Sequence, residues 1–132
     1  MVFELQQNRQ HVRAELFHSD FTDILAHQYV LMGDDAAEAI ALASTRPEEL
    51  TDAQKLVVDA HLRSLFVRID SYGYIASRTG VYDDEGWQVS VPRIVNTYFN
   101  YEYAREWWAI ERERPRPWAK ELIDLFDKEL GF

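Results

Sequence analysis

Apolar residues recur at intervals of three and four along almost the whole chain, the period of a helix's buried face. Over residues 3–32, Ala14, Phe17, Phe21, Ile24 and Leu31 share one stripe, with Gln28 as its polar exception. Ser19 and Asp20 are both good N-caps, which leaves one helix or two open over this stretch. Gly33 stops it. Asp35 and Glu38 have capping-box spacing and open an Ala-rich helix to about residue 43. Its small side chains let a neighbour approach closely. Thr45-Arg46-Pro47 ends it, because the residue before proline is pushed out of the α region.

Thr51 and Gln54 make a stronger capping box, behind which lies the clearest helix, residues 52–78. Val58, Leu62, Leu65, Ile69, Tyr72 and Ala76 step by four and three into one seam, widened by Phe66 and Ile75. Asp59 and Arg63 read as an i,i+4 ion pair on the opposite face. At 1.5 Å per residue this helix is about 40 Å long, the expected spine of the molecule, and Gly80 ends it. Asp83 or Asp84 caps the next helix, whose stripe is Trp87, Val91, Ile94 and Tyr98. Pro92 interrupts its hydrogen bonding, but the stripe keeps phase, so a kinked helix is expected rather than two. Asn100 is the expected cap of a short helix carrying Tyr101, Ala104, Trp107 and Trp108, ended by Arg114-Pro115. Pro117 suits the first turn of the last helix, with Trp118, Leu122, Leu125 and Phe126 inward and Lys120, Asp124 and Lys128 outward. Gly131 is placed to close it. There is no internal repeat and no linker long enough to divide domains. The pattern predicts one all-α domain over residues 1–132, a bundle of about five to six helices with short connections.

Composition narrows the chemistry. Gly and Pro are scarce, five and four, which argues against a hairpin-rich β fold. There is no cysteine, so disulfides, thiolate metal sites and thiol catalysis are excluded, and a reducing cytoplasm is the expected compartment. A net charge of −9 disfavours nucleic acid as a partner. The local cluster Arg112, Arg114, Arg116 reads as a solvated helix end. No stretch is apolar enough to span a membrane, and the N-terminus has no signal-peptide pattern.

Candidate sites are few. Glu15 and His18 form one E-x-x-H, where a di-metal bundle needs two plus two further carboxylates. Asp23 and His27 read as an ion pair, and His61 lies on a different helix face from Asp59. The pairs Asp34-Asp35, Glu48-Glu49 and Asp83-Asp84 fall at helix starts, where carboxylates cap and offset the dipole. No cofactor, metal or catalytic residue is therefore expected. The four Trp and most Tyr lie in the C-terminal half. Trp107 and Trp108 point about 100° apart on a helix, so at least one of them is expected at the bundle's edge or in a contact with another chain. Flanked by Arg105 and Arg112, such an edge Trp has the residue types of a binding hot spot. Arg105, Trp107, Trp108 and Arg112 are thus the predicted interface of a non-enzymatic interaction or scaffold module that self-associates or binds another protein. The alternative is a bundle that binds a small molecule, with Tyr72, Tyr98 and Trp107 around an apolar pocket and catalysis not visible in the motifs.

The order Gly80, Asp84-Glu85, Trp87, Pro92, Arg105-x-Trp107-Trp108, Pro117, Phe126 resembles a group of uncharacterised bacterial helical proteins. Residues Ala14-Glu15-Leu16-Phe17-His18 and Leu50-Thr51 fit the same pattern. Members often carry a hydrophobic anchor helix and a coiled segment ahead of such a domain. This chain lacks that anchor, so the resemblance implies a soluble protein or the soluble part of a longer one. The group has no assigned activity, so it lends no residue a role.

Overall fold

The computed structural model describes residues 23, 26, 32–79, 84–114 and 120–132; at 72–79 and 84–87 it describes the backbone alone. The described chain forms α1 (Asp34–Thr45), a 3-10 turn (Pro47–Glu49), α2 (Asp52–Thr79), α3 (Asp84–Tyr98), α4 (Glu102–Glu111) and α5 (Lys120–Leu130). Five helices and no strand among these residues make it an all-α bundle. None of these helices is long and apolar enough to cross a membrane. The stripe over 3–32, the Glu15–His18 motif, the Asp23–His27 pair and the side chains of Tyr72, Trp87 and Trp118 fall outside the described residues.

Local chemistry sets most of the helix ends. At the start of α2 the capping box closes reciprocally: Gln54 N donates to Thr51 Oγ1 at 3.1 Å, and Thr51 N to Gln54 Oε1 at 2.9 Å. The Asp35–Glu38 box does not form. Gly33, at φ 81°, turns the chain out of the helical residue Met32 and is itself the N-cap, with no side-chain bond. Asp34 and Asp35 therefore already lie in the first turn, where their charges meet the positive end of the dipole. The cap expected at Asn100 also moves. Both ends of that amide are engaged, Nδ2 with Asn96 at 2.7 Å and Oδ1 with Arg105 at 2.9 Å. Extended Tyr101 takes the N-cap position of α4 instead. The helix α3 continues through Pro92 without a break. Proline cannot donate to the carbonyl of Gln88, and Gln88 lies on the exposed side, where water can take the bond. At the end of α5, Gly131 at φ 82° lets its own N–H and that of Phe132 reach Asp127 O.

The helix α2 is the spine. Val58, Leu62, Leu65, Phe66 and Ile69 are fully buried. Against them pack α1, through Ala39 and Ala43, and α3, through Val91, Ile94 and Val95; α3 in turn packs on α5. At the centre four aromatics meet. The Phe126 ring stands 4.7 Å from Trp108, 5.1 Å from Phe66 and 5.0 Å from Phe99, the last two edge-on.

Two titratable side chains are buried among the described residues, His61 and Glu111, and the first bears on the pH dependence of stability. His61 is buried on the α2 seam side, and desolvation lowers its pKa from 6.5 to about 4. The unfolded chain takes up a proton near pH 6.5 that the folded chain refuses until about pH 4. The sign is therefore a loss of stability as pH falls through that window. Unfolding free energies from urea titrations at pH 7 to pH 4 are expected to fall by about 2–3 kcal/mol in total from this group. His61→Gln should remove most of that slope. An imidazole that titrates near 6.5 by NMR would contradict the burial.

Candidate functional site

Two adjacent indoles and two arginines were the expected contact surface, and packing disposes of them differently. Trp108 is fully buried and Trp107 is 7% exposed, so neither stands out from the bundle as an edge residue. The reason is that α4 is covered on more than one side. Trp108 stacks into the Phe66–Phe126 cluster. Trp107, about 100° around the helix, packs on Phe99 at 6.1 Å. Arg105 remains exposed and is tied to Asn100.

Arg112 is not a solvated helix-end charge. Its Nε and Nη2 reach both oxygens of Asp127 on α5, at 2.9 and 2.8 Å, and Nη1 reaches Glu113. Its guanidinium also lies 5.5 Å over the Phe132 ring. Asp127 accepts the Trp108 indole N–H at 2.9 Å as well. One carboxylate thus anchors α4 to α5 and satisfies a buried donor. The Arg112 guanidinium, and then the Trp108 N–H, hold the Asp127 carboxyl below its usual 3.8, so this contribution is present above that pH and is lost as pH drops below it. Asp127→Asn keeps an acceptor for Trp108 but breaks the charged fork. It is expected to cost about 1–3 kcal/mol in urea unfolding at neutral pH and to flatten the acid limb of the stability curve.

The surface feature that the sequence reading missed is a half-open groove of about 260 Å³ between α2 and α4. Lys55, Asp59 and Arg63 form one wall. Tyr103, Glu106, Trp107, Ile110, Glu111 and Arg114 form the other. Asp59 and Arg63 are therefore not a solvent-facing pair. Tyr103 OH donates to Asp59 Oδ1 at 2.8 Å, and burial with that neighbouring carboxylate pushes the phenol pKa upward. Arg63 Nη2 lies 3.5 Å from Glu111 Oε2, and Arg114 Nε lies 3.1 Å from the same oxygen. Glu111 is 1% exposed, a buried carboxylate held between two half-exposed guanidiniums. These two side-chain links, 59 to 103 and 63 to 111, join α2 and α4 across the groove.

Much of the polar lining is thus engaged internally. What the groove offers outward is the lip: exposed Glu106, Ile110 at 66% exposure, and Arg114. A sequence signal for it exists in hindsight. Tyr103, Glu106, Ile110 and Arg114 step by three and four along a second stripe of α4, beside the buried one of Ala104, Trp108 and Glu111. Of the three residues expected around a small-molecule pocket, Tyr98 packs against the core, Trp107 floors this open groove, and the side chain of Tyr72 lies outside the described residues. Among the described residues no three His, Asp or Glu stand close enough to share a metal ion. No family model, curated protein or solved structure matches the chain, and the site is read from its own residues.

Proposed function

We propose that this chain is a non-enzymatic helical interaction or scaffold module that self-associates, and that the lip of the α2–α4 groove is its contact surface. The observation that carries the reading is Ile110, 66% exposed beside a groove in which Asp59 is held by Tyr103, and Glu111 by Arg63 and Arg114. A single exposed isoleucine is ordinary. This one sits along the chain between a carboxylate, Glu106, and a guanidinium, Arg114, all three lining the groove. With both tryptophans committed to the core, the anchoring role passes from Trp107 and Trp108 to this lip. Arg105 and Arg112 belong to its surroundings rather than its centre. The acidic net charge supports a protein partner over nucleic acid, and the cysteine-free composition suits the cytoplasm. Sedimentation velocity across micromolar concentrations tests the reading. A mass rising above that of one 15.5 kDa chain is expected; one-chain mass over the whole range would overturn it.

A further inference from the structure

The lip has an internal symmetry that specifies its partner. Glu106, Ile110 and Arg114 are spaced i, i+4, i+8 on one flank of α4. The helix ends at Glu111, but Glu113 N bonds Ile110 O at 3.3 Å and Arg114 N bonds Glu111 O at 3.1 Å, so Arg114 stays within the terminal turns. The order is acid, apolar, base, with Glu106 about 6 Å along the axis from the isoleucine and Arg114 beyond it in the closing turns. In a two-fold contact the same patch faces itself with its direction reversed. Reversing this stripe about Ile110 sets Glu106 against Arg114 and Arg114 against Glu106.

Resting on the self-association reading, we infer that the occupant of this surface is a second copy of the chain, docked antiparallel across α4. Ile110 meets Ile110 on the two-fold axis, and Glu106 of each copy meets Arg114 of the other. Arg114 gives Nε to Glu111, which leaves the outer edge of its guanidinium for a second carboxylate. Local complementarity has to carry this contact, because each copy bears −9 and long-range repulsion opposes pairing. At physiological salt that repulsion is screened beyond about 8 Å, while the short pairs at the lip are not.

The test uses the full chain and a position where the fold tolerates change. Ile110→Lys and Ile110→Glu should each weaken pairing by at least about tenfold, as like charges meet on the axis. Circular dichroism should be unchanged. Mixing the two should restore a dimer, since Lys then faces Glu. Glu106→Arg should also weaken pairing, although it lowers the net repulsion, whereas Glu121→Arg on the exposed face of α5 should not. If the wild-type chain associates but these lip variants pair as well as it does, another face is the interface and this inference is wrong while self-association stands. It is wrong likewise if the mixed Ile110 variants fail to pair. A wild-type chain that is monomeric throughout removes the functional reading itself.

Discussion

Phe126→Ala is expected to lower the unfolding free energy by about 3–5 kcal/mol, the largest effect of any single truncation proposed for this chain. The side chain is fully buried, and its ring is the one that touches all three of Trp108, Phe66 and Phe99. Those three come from α4, α2 and the residue just past α3, while Phe126 comes from α5. Removing the ring therefore takes dispersion contacts and edge-to-face geometry from four segments at once. Rigid rings of this size cannot collapse into the space, so the cavity term adds to the lost transfer energy. Chemical denaturation at neutral pH measures it. A cost below about 1 kcal/mol would mean that the aromatic cluster is not assembled as described.

Leu65→Ala follows, at about 2–5 kcal/mol. Leu65 lies in the middle of the α2 seam with no exposed surface, and Leu62, Phe66 and Ile69 around it are equally buried. Alanine is the better helix former, so propensity would favour the variant slightly. Any large loss must then come from packing against the helices that cover the seam. Val67→Ala is the internal control. Val67 is 41% exposed on the same helix, and its truncation should stay within about 0.5 kcal/mol of neutral. Equal effects at the two positions would place the seam at the surface.

The fold was legible to the extent that its signals are local. The stripes that named Leu62, Leu65, Ile94, Leu122 and Phe126 as inward-facing arise from helical periodicity, which repeats within a turn or two, and all five are buried. The Thr51–Gln54 box and the Gly131 cap are likewise decided within four residues. Local rules failed where competing local bonds were available. Asn100 lost its capping role to Asn96 and Arg105, and the Asp35–Glu38 box lost to the conformational freedom of Gly33.

The candidate site was scarcely legible. Asp59 and Arg63 have the spacing of an exposed ion pair, and Arg112 sits among basic neighbours at a helix end. Nothing within a few residues shows that Asp59 takes a proton donor from position 103, or that Arg112 finds its carboxylate at 127. The tryptophans make the same point. Two adjacent indoles diverge on any helix, but whether the second meets solvent depends on how many sides of that helix are covered. The sequence by itself determined the helices of the described residues, with a long central helix and an aromatic C-terminal half, because apolar period and capping chemistry act over one or two turns. Which helices lie side by side was decided only by tertiary packing. That packing buried both Trp107 and Trp108, drew Glu111 between Arg63 and Arg114, and left Ile110 at the surface, because burial depends on the combined shape of several helices and no single helix encodes it.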